Sequence, residues 1–245
     1  MLQLQNLTWH LPSGEAIING ISYTATKKLI VITGPNGGGK TTLAKLIAGV
    51  ETPDSGKIIL DGEDITPLNI TERAKKGVAY AFQQPVRFKG LRVKDLLMLA
   101  TGRDHDMANA CKYLSEVGLC ARDYIDRELN DSLSGGEMKR IEIAMTLARG
   151  TKLNIFDEPE AGIDLWSFQS LIHVFEQMRH KTNGSILIIS HQERILNIAD
   201  KIAYIREGKL EQYGTRAEIL PDLLHSVDDA ACRVLTDKME VKKHA

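Results

Sequence analysis

From Leu2 to Trp9 apolar and polar residues alternate, the two-residue period of a strand with one face buried. Further along the alternation gives way to short unbroken runs. Lys27 to Thr33 (KKLIVIT) is a β-branched run that ends at a glycine, and Gly77 to Phe82 (GVAYAF), Lys152 to Phe156 (KLNIF) and Ser185 to Ser190 (SILIIS) are continuously apolar. Such runs predict strands covered on both faces, as in a parallel sheet. Lys57 to Leu60 runs into the Asp61-Gly62 turn signal, and Lys201 to Arg206, Glu207-Gly208 and Lys209 onward predict a terminal hairpin. Between the strands the apolar spacing changes to that of helices. These are expected over Thr41 to Ala48, Val93 to Ala100, Met107 to Val117, Glu137 to Ala148, Leu165 to His180 and Gln192 to Ile198. Strand followed by helix, repeated, predicts an α/β layer structure. The stretch from Val86 to Asn130 breaks that rhythm and is expected to be a helical insertion, and Pro221 to Ala245 a short helix with a frayed end.

Composition narrows the class. The 245 residues are 43% hydrophobic and 26% charged, enough for a globular core without disulfides or a structural metal. A net charge of -1 argues against a nucleic-acid partner. No apolar run is long enough for a membrane span, so direct membrane insertion is not expected. The opening residues lack the basic-then-apolar order of a signal peptide. Cys111, Cys120 and Cys232 form no CxxC, which fits a reducing, cytoplasmic setting and predicts no iron–sulfur cluster in this chain.

The chemistry concentrates in three places. Gly34-Pro35-Asn36-Gly37-Gly38-Gly39-Lys40-Thr41 fits GxxxxGK[ST], set between the KKLIVIT strand and a helical pattern. Its glycines let backbone N–H groups wrap an anion, the helix start adds its dipole, Lys40 adds a point charge and the Thr41 hydroxyl can ligate Mg²⁺. Asp157-Glu158 ends the KLNIF strand, placing one acid for the Mg²⁺ shell and one to polarise an attacking water. Leu133-Ser134-Gly135-Gly136-Glu137 opens a helix with an N-cap residue and two glycines, a second exposed anion site.

Taken in order, the phosphate loop, Gln83 after a strand, LSGGE, the strand ending in Asp157-Glu158, Gly162-Ile-Asp164 and His191 after a strand resemble the nucleotide-binding ATPase of the ABC superfamily. The resemblance runs from about Leu2 to Gln212. It implies a P-loop NTPase fold with a RecA-like core, an N-terminal antiparallel β part and a helical subdomain. It also implies one ABC ATPase domain over residues 1–245, with core 1–85 and 150–220, helical subdomain 86–149 and tail 221–245. Gly34 to Thr41 and Thr42 would bind ATP, with Thr41, Gln83 and Asp157 on Mg²⁺. Glu158 would be the base, and Lys40, Gln83 and His191 its catalytic partners. Two copies would close head to tail on ATP, with Ser134, Gly135, Gly136 and Glu137 of one copy over the other's ATP and Asp164 touching the partner copy. Trp9 is a candidate for stacking on adenine, with core packing as the other reading of that residue.

Three stretches are similar to one branch, the SufC family of SUF iron–sulfur cluster assembly. They are Ala81-Phe-Gln83-Gln-Pro85-Val-Arg-Phe-Lys-Gly90, Ser190-His-Gln-Glu-Arg-Ile-Leu196 and Gly135-Gly-Glu-Met-Lys-Arg140-Ile-Glu142. Pro159 after Glu158 instead matches many transporter ATPases. The SufC resemblance implies a SufB-like scaffold as partner, with or without a SufD-like one. The alternative is the energising subunit of a membrane ABC transporter.

Overall fold

The computed structural model describes residues 1–26, 28–84, 88–102, 107–130 and 132–223. Pro85 to Arg87 of the SufC-like stretch, Cys232 and the predicted tail from residue 224 onward lie outside the described residues. Strands β1 (Leu2–His10), β2 (Ala16–Ala25) and β3 (Leu29–Thr33) lead into helix α1 (Lys40–Ala48). Then follow β4 (Ser55–Leu60), β5 (Glu63–Asp64), α2 (Ile70–Lys75) and β6 (Val78–Ala81). The middle of the chain is α3 (Val93–Thr101), α4 (Met107–Glu116), α5 (Ala121–Tyr124) and α6 (Gly135–Arg149). Next come β7 (Leu153–Asp157), α7 (Leu165–Lys181), β8 (Ser185–Ile189), α8 (Glu193–Ile198), β9 (Lys201–Arg206) and β10 (Lys209–Thr215). A further helix over residues 216–223 begins earlier than the sequence suggested.

Two sheets form. The smaller has order β2-β1-β4-β5 and is antiparallel throughout. The larger has order β10-β9-β3-β8-β7-β6. Its five strands from β9 to β6 run parallel, and β10 closes the edge as a hairpin partner of β9.

The unbroken apolar runs have a direct physical cause. In β3, Leu29 and Val31 join one hydrophobic core while Ile30 and Ile32 join the other. β8 divides in the same way, with Ile186 and Ile188 against Leu187 and Ile189. Successive side chains leave a strand on opposite faces, so a sheet covered twice needs apolar residues at every position. One face packs on α1 and the antiparallel sheet, and the other on α6, α7 and the helices of the middle segment.

β2 was absent from the sequence expectation. Its Asn19-Gly20 dipeptide reads as a turn, yet both residues lie within the strand. Gly20 has φ 72°, and the β1–β2 register shifts nearby, so the glycine sits at an irregularity rather than a reversal. The middle segment is helical as expected, with one isolated bridge between Arg92 and Glu128. α2 and α5 were also unpredicted.

Candidate functional site

The phosphate loop hangs between the buried end of β3 and the start of α1. Gly34 has φ 139°, and a Cβ there would lie 1.9 Å from the Ile205 carbonyl oxygen. Gly39 caps α1 with φ 97° and would meet the Ile17 oxygen at 2.7 Å. Both positions therefore require glycine. Lys40 is buried, and its Nζ donates to the Gly34 and Pro35 carbonyls at 2.9 and 2.8 Å. Burial lowers its pKa, while Glu158 and Asp157 pull the other way. Asn36 to Thr42 line a cleft of about 480 Å³ together with Trp9 and Glu158. Trp9 therefore borders the phosphate loop, half-buried, while also packing against the core on that side.

Asp157 ends β7, and Glu158, the next residue, lines the cleft. Thr41 Oγ donates to Asp157 Oδ1 at 3.1 Å, joining phosphate loop to strand end. Tyr80 Oη donates to Asp157 Oδ2 at 2.9 Å. Burial raises the Asp157 pKa, and the hydrogen bonds from Tyr80 and Thr41 oppose it. Glu158 takes a left-handed backbone, φ 45°, unusual for a glutamate and the kind of strain that collects at working sites. Its Oε2 accepts from Gln83 Nε2 at 2.5 Å, so sequence positions 75 apart meet. Sequence reasoning missed Tyr80, which is visible only once β6 pairs with β7.

Gln83 is held through its neighbour. Lys139 Nζ donates to the Phe82 carbonyl at 2.6 Å. Lys139 and Glu142 lie 3.8 Å apart one turn along α6, both largely buried. Burial pushes Glu142 up to about 7, with Lys139 opposing.

Ser134, Gly135, Gly136 and Glu137 form the start of α6, outside that cleft. Ser134 is exposed and accepts from the Glu137 N–H at 3.3 Å, while the Ser134 N–H donates to Glu137 Oε2 at 2.6 Å. This is a complete capping box. The other Glu137 oxygen accepts from Tyr124 Oη, so the glutamate is committed to the turn. A Cβ at Gly135 would meet the Gly162 oxygen at 3.3 Å, and one at Gly136 the Ser167 side chain at 3.5 Å. Asp164 is exposed, and its carboxylate accepts from the Ser167 N–H at 3.0 Å. His191 is exposed just past β8.

Among the described residues no three His, Cys, Asp or Glu side chains gather to hold a metal ion. The oxygen set at Thr41 and Asp157 suits Mg²⁺, which typically takes one or two carboxylates and leaves the rest to substrate oxygens. Cys111 is half-buried and Cys120 exposed.

A phosphate loop coupled to an acid-ended parallel strand defines an ATP-hydrolysing P-loop protein. The profile of the ABC transporter family matches residues 18–161, and the chain belongs to that family. An uncharacterized ABC transporter ATP-binding protein of Methanocaldococcus jannaschii is 39% identical over 228 residues, 89% of this chain and 90% of its own length. The lipopolysaccharide export ATP-binding protein LptB of Escherichia coli K12 is 34% identical, covering 85% of this chain and 88% of its own. The crystal structure of a nucleotide-free ATP-binding cassette from an ABC transporter superposes with a TM-score of 0.79 at 25% identity, over 92% of this chain and 95% of that one. A dimeric cassette in a post-hydrolysis state with ADP and phosphate superposes at 0.78 and 18% identity, over 88% of this chain and 99% of its own. The protein is an ABC ATPase.

Proposed function

We propose that this ATPase is the ATP-driven subunit of a SUF-type iron–sulfur assembly complex, closing as a head-to-tail dimer to move a SufB-like scaffold. One observation supports two copies above the rest. The exposed α6 start with Ser134 lies outside the chain's own phosphate cleft, and its hydroxyl hydrogen and helix dipole suit an anion brought by another molecule. A second copy would supply it across the γ-phosphate, with Asp164 at the contact.

Within each site Lys40 and the loop N–H groups hold the outer phosphates and take up charge as the bond to the γ-phosphate breaks. Thr41 and Asp157 would hold Mg²⁺, which neutralises phosphate charge when bound. Glu158, oriented by Gln83, accepts the proton of the attacking water, and His191 holds the γ-phosphate. Trp9, at the rim of the same cleft, stacks on adenine.

The partner face is an apolar groove of about 540 Å³ lined by Phe82, Phe88, Leu96, Leu99, Met138 and Met145. Leu99 is 71% exposed, and Phe82 and Phe88 are also exposed. The groove suits an amphipathic helix. Phe82 adjoins Gln83, so a helix seated there acts on the residue that holds Glu158. The stretches matching SufC favour a scaffold as its source. The names of the curated relatives favour the other reading, a membrane transporter subunit.

The test is affinity purification of the tagged chain at native level without detergent, with Leu99→Glu alongside. A soluble SufB-like protein recovered with the wild type and lost with Leu99→Glu is expected. A partner recovered only from detergent-extracted membranes overturns the assembly reading.

A further inference from the structure

Glu160 lies two residues past Glu158, and its carboxylate is largely buried. Oε1 accepts the Ser190 hydroxyl at 2.5 Å. Oε2 is buried with no hydrogen-bond partner, one of two such side-chain atoms among the described residues. Burying a carboxylate costs several kcal/mol unless its oxygens are satisfied.

Ser190 is fully buried at the end of β8, tied to β3 by its N–H on the Ile32 carbonyl. Its Oγ also accepts the Gln192 N–H at 3.0 Å. The hydroxyl thus spans the turn on which His191 stands, giving its proton to Glu160 and taking one from beyond the histidine. On the other side, the Glu160 carbonyl accepts from the Ile163 N–H at 3.1 Å, and the Ala161 N–H donates to the Glu158 carbonyl at 3.0 Å. Glu160 therefore joins the turn of Glu158, the exposed loop leading to Asp164 and the turn of His191. His191 and Glu158 are both near enough to act electrostatically on its carboxylate.

We propose that Glu160 is a positioning residue that couples the 161–164 loop to the His191 turn through the Ser190 hydroxyl, so that seating a second copy on the loop sets the histidine. The coupling runs through Oε1 alone, so it needs one acceptor oxygen at this position and leaves Oε2 outside it. The inference rests on the dimeric ATPase reading above.

The test is steady-state ATP hydrolysis by the full chain carrying Glu160→Ala, Ser190→Ala, both together, Glu160→Gln and Lys40→Ala. Each alanine variant is expected to lower kcat at least about tenfold with KM within about threefold, and the double variant to fall no further than the worse single, because residues acting as one unit are not additive. Glu160→Gln keeps an acceptor for Ser190 and is expected within about threefold of wild type. Additive losses, wild-type kcat in Ser190→Ala, or changes confined to KM overturn the coupling. Should Glu160→Ala not fold, Ser190→Ala and Glu160→Gln carry the decision. Lys40→Ala separates the failures. If it retains activity, the phosphate-site reading itself falls, whereas a dead Lys40→Ala beside unaffected Glu160 and Ser190 variants overturns only the coupling.

Discussion

Arg73 is a fully buried guanidinium whose hydrogen bonds all go to backbone carbonyls. It lies in α2 at 1% exposure, with Nε on the Leu68 carbonyl at 2.8 Å and one terminal nitrogen on Thr66 at 2.8 Å. The other terminal nitrogen serves the Leu46 and Ile47 carbonyls at the end of α1, at 2.5 and 3.0 Å. Burial lowers its pKa, opposed by Asp64. Arg73→Met keeps an apolar chain of similar reach and removes every donor. Leu46 keeps the Gly49 N–H, whereas Ile47, Thr66 and Leu68 lose the guanidinium. A buried carbonyl without a donor costs about 1–3 kcal/mol. The Ile47 bond is buried and takes the upper part of that range; the Thr66 and Leu68 bonds are part-buried and, with water, take the lower. The gross loss is about 4 kcal/mol, reduced by about 1 for the desolvation of a charge no longer buried. A net loss of about 3 kcal/mol lowers the unfolding midpoint by about 6–12 °C in a chain of this size. Thermal unfolding followed by circular dichroism, with and without ATP, reads this directly. Arg73→Lys, with three donors on one atom, is expected to fall between. A midpoint for Arg73→Met within about 2 °C of wild type would refute the reasoning, because water would then be satisfying those carbonyls.

Three further outcomes are expected. Lys40→Ala should cut ATP turnover more than about tenfold in a phosphate-release assay, since the buried ammonium is the cradle's fixed charge; half-retained activity contradicts the cradle. Glu158→Gln should bind ATP yet accumulate as a dimer in light scattering with ATP and Mg²⁺, and a persistent monomer counts against head-to-tail closure. Glu142, pushed up to about 7 by burial from 4.5, holds a proton in the folded chain that the unfolded chain releases earlier. Its contribution is full below the unfolded value and lost as pH rises through about 7, so Glu142→Gln should flatten the fall in unfolding midpoint over that window; an unchanged slope refutes it.

What the sequence made legible follows the reach of each interaction. The buried strands could be read because double coverage imposes an apolar residue at every position, a rule each run satisfies by itself. The phosphate loop could be read because its spacing and flanking elements are local. β2 carries Asn19-Gly20, a turn-favouring dipeptide that pairing with β1 overrides. α2 carried a readable signature, since Asn69 and Glu72 form a capping box at the expected spacing. Tyr80, Arg73 and the clamp on Phe82 had no local mark. Asp157 lies 77 positions from Tyr80, the Leu46 carbonyl 27 from Arg73 and Lys139 57 from Phe82, and only the assembled sheets and helices bring them together.

The capping box at Ser134 has one more consequence. A hydroxyl offers one hydrogen and two lone pairs. In the α6 turn one lone pair is already spent on the Glu137 N–H, and Glu137 is itself pinned by Tyr124. The side chain is thereby given a polarity, its acceptor side turned inward and its hydrogen left to point away from the helix. The Ser134 and Glu137 amides are taken up within the box, which leaves the hydroxyl hydrogen and the exposed Gly135 at the surface of the turn. The capping box thus fixes which way this hydroxyl can bond before any second molecule arrives.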